Sequence, residues 1–215
     1  MSHEPQRQDN DRPARLLDRP TVTDDDIIQL SEALIHTRQH IGPKHLVEPA
    51  PDAATLRELF AAAAAAPDHG QLRPWRFLVL GNAARQALSD VFVEALLARD
   101  PDALPDQIDD ARKKAFRGPV LLMAIADLRA ADEDIPPFER LLSLGCAIQN
   151  LLLAARARGY GSGLSGGRAL RTDLLRQAFG INEGEHAICF ISLGTPTHSK
   201  PIRPRPAVDD FVRWL

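Results

Sequence analysis

The segment Ala66-Pro67-Asp68-His69-Gly70-Gln71-Leu72-Arg73-Pro74-Trp75-Arg76-Phe77 constrains this chain more than any other. Pro51-Asp52 opens a helix predicted over about Ala53–Ala66, ending in a run of alanines, the strongest helix formers. Pro67 ends it, because proline lacks an N–H and disfavours helical backbone in the residue before it. Pro74 then sends the chain into an apolar strand, Arg76–Leu80, closed by Gly81-Asn82. Asp68, His69 and Gln71 are thus held on a short, stiffened loop between a helix and a strand. Loops placed by a rigid scaffold are where binding groups concentrate.

Helical spacing recurs along the rest of the chain. Thr23 before Asp24, Asp25 and Asp26 reads as an N-cap with an acidic first turn. Ile27, Ile28, Leu30, Leu34 and Ile35 carry that helix to about Arg38, and Gly42-Pro43 stops it. Further helices are predicted over Ala83–Ala98, Gln107–Phe116 and Arg171–Phe179. The longest, Phe138–Arg158, has a wide apolar face including Leu141, Leu142, Ile148, Leu151 and Leu152. Val120–Ala126 and Ala187–Leu193 read as buried strands, Ala130–Pro137 as a loop or lid, and Tyr160–Gly167 as a glycine-rich turn. Interspersed helices and strands, with the helices longer, imply an α+β sandwich around a small central sheet. The apolar C-terminus, Phe211-Val212-Arg213-Trp214-Leu215, needs burial, which docking on a partner subunit would supply.

Composition excludes several classes. The chain has 215 residues, 44% of them hydrophobic, and a net charge of −3. That suits one sizeable core and offers no basic field for nucleic acid. Cys146 and Cys189 each lie in an apolar run and read as buried small hydrophobes in a reducing compartment. The first twenty residues are rich in Arg, Asp, Pro and Gln, unlike a secretory leader. No run reaches the roughly 18 apolar residues of a membrane span. A cytoplasmic protein is expected, with residues 1–26 as a disordered or draped extension and residues 27–215 as a single domain.

Several constellations could carry chemistry. Gly161-x-Gly163-x-x-Gly166 satisfies the dinucleotide fingerprint, but it follows a helix and lies late in the chain. Gly163-Leu164-Ser165-Gly166-Gly167 matches a nucleophile elbow, which would make Ser165 a hydrolase nucleophile with Asp173 and His186 or His198 as partners; no apolar strand is evident before it. Otherwise the segment is a bare turn, or one whose backbone N–H groups approach a flat or anionic ligand. His36, His40 and His45 lack the further ligands that a structural metal site needs, so no metal is assigned. Arg38-Gln39-His40, at a helix end, either complements the helix dipole or clamps a phosphate. Lys200, Arg203 and Arg205, interleaved with prolines, form a stiff basic strip.

Together these segments resemble the nitroreductase family, in particular its short bacterial members. The resemblance covers about residues 27–215. It rests on Thr37-Arg38-Gln39-His40, on the Pro-Trp loop, on Gly145-Cys146-Ala147-Ile148-Gln149-Asn150 in a long helix, on Ala154–Gly161, and on Leu193-Gly194-Thr195-Pro196 before a basic tail. It implies a small mixed sheet flanked by helices, in an intertwined homodimer that binds FMN at the interface. Arg38, Gln39 and His40 would face the phosphate and ribityl chain, with Arg203 or Arg205 sharing the phosphate. Pro67, Asp68, His69 and Gln71 of the other subunit would edge the isoalloxazine. Backbone groups at Ser165, Gly166 and Gly167 would approach the ring. NADH or NADPH would donate hydride, and a nitroaromatic, quinone or similar electron-poor small molecule would accept it. No single catalytic side chain is implied. The family's usual second arginine and serine are here Gln39 and His40. Flavin cleavage, dehalogenation or a serine hydrolase at Ser165 stand as alternatives.

Overall fold

The computed structural model describes residues 22–129, 134–198, 201 and 204–215. Most of the expected 1–26 extension, part of the expected 130–137 loop, and Lys200 and Arg203 of the basic strip lie outside the described residues. The chain divides into two units, residues 1–33 and 34–215. Helix α1 (Asp24–Thr37) begins in the first, at the predicted cap, and its last turn belongs to the second. The Asp26 N–H donates to Thr23 Oγ1 at 3.2 Å, and the Asp26 carboxylate accepts from the Thr23 hydroxyl at 2.7 Å. The bonds that Thr23 donates hold the Asp26 pKa below the ordinary carboxylate range.

The second unit is built on a five-stranded sheet: β1 (Leu46–Val47), β2 (Trp75–Val79), β3 (Val120–Asp127), β4 (Gly161–Ser165) and β5 (Glu185–Pro196). Their order is β1-β5-β3-β2, with β4 also paired to β5. Helices α2 (Ala53–Ala64), α3 (Asn82–Leu97), α4 (Pro105–Lys114), α5 (Pro137–Ala157) and α6 (Asp173–Ala178) complete it. The α+β class expected from the sequence is present. The expected mixed sheet is corrected: every pair of strands is antiparallel, and the isolated parallel bridge among the described residues is His40–Ser162.

β3 reads as an unbroken apolar run because both its faces are covered. Leu122, Ala124 and Ala126 join Leu59 and Ala63 of α2 and Leu144, Ala147 and Leu151 of α5 in one core. Leu121, Met123 and Ile125 point the other way, toward Leu88 and Val91 of α3 and Leu175 of α6. The alanines of α2 and α5 thus mark close helix approach. Among the described residues α5 is the one helix long and apolar enough to cross a membrane, and 44% of that span is buried inside the protein. The two cysteines are free and half-buried, less buried than expected; burial still pushes the Cys189 thiol up to about 11.

Tertiary pairing overrides local propensity in two places. Gly161–Ser165, expected as a turn, is strand β4, held residue by residue from Gly161 opposite Gly194 to Ser165 opposite Phe190. β5 runs well past the expected Ala187–Leu193, because both its ends find partners, Asp127 opposite Glu185 and Leu46 opposite Pro196.

Candidate flavin site

α5 sets the geometry, because candidate residues gather at its two ends. At its C-terminal end the segment after α1 lies against β4. His40 bridges to Ser162, and the Ile41 N–H donates to the Ser162 carbonyl at 2.8 Å. Glycines make this contact possible: a Cβ on Gly163 would stand 2.0 Å from the Ile41 carbonyl oxygen, and one on Gly161 2.9 Å from Leu46. Of the fingerprint glycines, Gly161 and Gly163 therefore serve packing of the chain on itself. From α5, Arg156 reaches across to donate its Nε–H to Thr37 Oγ1 at 3.1 Å.

A cavity of about 430 Å³ opens here, lined by Arg38, Gln39, Arg156, Tyr160 and His198 among others. Two guanidinium groups and an imidazole on one small cavity suit an anion, phosphate in particular, since guanidinium groups make strong charge-assisted bonds to it. His40 does not line this cavity; its ring lies beside Gly163. Nη2 of Arg205 stands 3.5 Å from the Arg38 carbonyl, at the outer limit of a hydrogen bond. Arg156 and His198 join this cavity without having been legible as anion ligands in the sequence. Arg156 stands in the Ala154–Gly161 segment but carries no sign there of which way it points.

At the N-terminal end of α5 sits the 67–71 loop. Gln71 and Arg73 have φ of +52° and +49°, beside Gly70 at +67°. Two non-glycine residues in this left-handed region cost roughly 1–2 kcal/mol each. Such strain collects at functional loops when the surroundings hold it in place. The Asp68 carboxylate supplies part of that hold, accepting the Arg73 N–H at 2.8 Å. His69 Nδ1 is 2.9 Å from Glu139 Oε2 on α5, which ties the loop to the helix. The other Asp68 oxygen, Oδ1, is buried without a partner, as is Nη2 of Arg140 in the first turn of α5.

Ser165, Gly166 and Gly167 lie elsewhere, at the end of β4, lining a larger cavity of about 1000 Å³ with α3, α4 and β5. A Cβ added to Gly166 or Gly167 would meet nothing within 4 Å, so the chain itself leaves room there. Neither has the positive φ that would demand glycine. The elbow expectation is corrected in both directions. A strand does lead into Ser165, but Ser165 lacks the strained left-handed backbone of an elbow, and no histidine among the described residues is hydrogen-bonded to it.

Comparison with known proteins places the family. The nitroreductase family model matches residues 44–195. A Haemophilus influenzae protein named "Putative NAD(P)H nitroreductase" is 33% identical over 184 residues, 85% of this chain and 97% of that protein. The chain belongs to the nitroreductase family, and by that membership it is an oxidoreductase. Two solved structures share the fold. A nitroreductase-like family protein from Bacillus cereus superposes with a TM-score of 0.73 at 17% identity, covering 86% of this chain and 95% of that one. The FMN-dependent nitroreductase NfnB from Mycobacterium smegmatis, in complex with NADPH, gives 0.66 at 22%, covering 88% and 100%. Two further likenesses have other names: the 5,6-dimethylbenzimidazole synthase of Rhodospirillum rubrum, 27% identical over 82% of this chain and 92% of that protein, and an iodotyrosine deiodinase bound to FMN, TM-score 0.63 at 20% identity, covering 86% and 98%.

Proposed function

We propose that this chain is an FMN-dependent NAD(P)H oxidoreductase, active on electron-poor small molecules, whose flavin site is built from two copies. The observation that carries this reading is the separation along α5. Glu139, which holds the loop, and Arg156, which lines the anion cavity, are seventeen residues apart on one helix. At 1.5 Å per residue that is about 25 Å, too far for one flavin to touch both ends. A second copy removes the difficulty. Phe138, Leu141, Leu142 and Gly145 of α5 are exposed on one side, Phe138 and Leu142 by about 70% and 68%. Two such helices packed antiparallel about a two-fold axis bring the loop end of one to the anion end of the other. The exposed Phe211 and Trp214 of the tail add apolar surface for the same purpose.

The residues present fit FMN. Arg38, Arg156 and His198, with Arg205 at the rim and Arg203 beyond the described residues, would hold the phosphate. Gln39 would reach the ribityl chain, with His40 setting the neighbouring backbone against β4. Pro67, Asp68, His69 and Gln71 of the second copy would edge the ring. Ser165, Gly166 and Gly167 would present bare backbone to it. The flavin, when bound, supplies two-electron transfer between a nicotinamide and an acceptor. The chain's part is to bind, orient and exclude water; no side-chain nucleophile is required.

The test is direct. The purified protein should be a yellow dimer, release FMN on denaturation, bleach with NADH or NADPH, and recover colour when an acceptor or air is admitted. A colourless protein, or a monomer that keeps FMN, would overturn the reading. A second reading, kept from the resemblance to the family, is flavin cleavage, in which the protein consumes its flavin. Bleaching that air does not reverse, with loss of intact FMN, would select it.

A further inference from the structure

The larger cavity has a charge pattern that holding FMN leaves unused. Phe92, Leu121 and Phe190 give it an apolar floor, and Arg99, Lys114, Arg117 and Arg168 also line it. Asp110 is the carboxylate among these residues. None of the four cations makes a side-chain hydrogen bond or ion pair among the described residues. Some other cations of the same unit are engaged, Arg76 with Glu185, Arg158 with Glu58, Lys113 with Asp109, and Arg85 with three backbone carbonyls, whereas these four are gathered on one cavity. Four unpaired cations around one concave apolar surface repel each other unless an anion joins them, and low-dielectric walls focus their field inward. One wall is the Ser165–Gly167 backbone, with open space beside both glycines.

We propose that this cavity binds the electron acceptor, and that the acceptor is an aromatic molecule bearing an anionic group. The ring lies on the apolar floor beside Ser165–Gly167, and its carboxylate or sulfonate meets Lys114, Arg117 and their neighbours. The inference rests on the oxidoreductase reading above. For a nitroarene the overall change is balanced by the nicotinamide donor: the nitro group takes a hydride equivalent from NAD(P)H and one proton from solvent, one N–O bond breaks, the oxygen leaves as water, and a nitroso group and NAD(P)+ result.

The probes are 4-nitrobenzoate and nitrobenzene, titrated into the oxidised holoprotein by calorimetry without donor. The wild type should bind 4-nitrobenzoate at least about 10-fold more tightly at low salt. That preference should shrink as ionic strength rises from about 0.01 M to about 1 M, where the screening length falls from about 30 to 3 Å. In Lys114→Gln/Arg117→Gln the anion's affinity should fall on the order of 10-fold, with nitrobenzene changed less than about 2-fold and FMN content unchanged. KM for 4-nitrobenzoate should rise in parallel, with kcat for nitrobenzene kept. Equal affinities in the wild type, an unaltered variant, or a variant that loses affinity for NADP+ rather than 4-nitrobenzoate would each overturn the proposal. A protein purified without flavin would instead refute the function proposed above, and the same titration on it would still decide the cavity.

Discussion

The two ends of α5 are built by opposite means. The C-terminal end is backbone packed on backbone: Ile41 on Ser162, glycines at close approach, Arg156 on Thr37. The N-terminal end is a loop with two left-handed non-glycine residues and a buried carboxylate oxygen that lacks a partner. One end is complete as a cation-lined cavity; the other holds strain and an unmet acceptor. The difference teaches that, in the proposed site, neither end would hold a flavin alone.

Breaking the packed end should have the largest effect. Gly163→Ala places a Cβ against the Ile41 carbonyl, a backbone atom that cannot step aside cheaply. A loss of about 3 kcal/mol of stability is expected, together with loss of FMN; a denaturant titration and the flavin content of the purified protein check it. Gly166→Val, with open space around it, should lose FMN while the unfolding midpoint stays near wild type.

Next comes a test that the two ends serve one site in trans. Arg38→Ala removes a charge-assisted contact worth roughly 1.5–3 kcal/mol, or on the order of 10- to 150-fold in FMN affinity. Asp68→Ala should impair the site from the other end. Co-expressed, the two variants form hybrid dimers in which one site carries both lesions and the other none. About a quarter of the wild-type sites should then be intact, given random pairing about a two-fold axis. FMN content at the mean of the two single variants would show that the two ends do not complete one site across the interface.

A smaller effect concerns what steadies the loop end. Arg76 donates two bonds of 2.8 Å to the Glu185 carboxylate, and these bonds hold the Glu185 pKa below its ordinary value. Arg129 does the same for the adjacent Asp127. A carboxylate whose folded pKa is depressed contributes stability that is present above its unfolded pKa and is lost as pH falls through the folded value. The melting temperature of the wild type should therefore drop on acidification through and below the ordinary carboxylate range. Glu185→Gln should be less stable at neutral pH by about 1–3 kcal/mol, and its melting temperature should fall less steeply in acid. Parallel profiles would remove the pair from the account.

Ser165→Ala should have the smallest effect. Its role in the proposed site is through the backbone, which alanine preserves, so FMN content and quinone reductase activity should stay within about 2-fold of wild type, a change near the 0.5 kcal/mol expected away from critical contacts. Abolished turnover would revive the hydroxyl as a functional group.

Local signals account for what is legible in the sequence. The Thr23 cap, the alanine run of α2, the break at Pro67, the apolar run of β3 and the face of α5 each follow from neighbours a few residues apart, where capping, propensity and periodicity act. The glycine segment reads as a turn because Gly161-Ser162-Gly163-Leu164-Ser165 has little strand propensity; pairing with β5 makes it a strand. Arg38 is legible as a phosphate candidate because it stands in a recognisable motif, but Arg156 and His198 are not.

By itself, then, the sequence determined the helices, the central strands, the stiff loop and the family, since each is written in short-range order. Only the tertiary structure decided that Thr37 and Arg156, far apart in the chain, share one cavity, that Lys114 at the end of α4 and Arg168 after β4 line another, and that the two candidate halves stand at opposite ends of α5. Those are distances between residues remote in sequence, and they are set by how the helices and the sheet bury their apolar faces together.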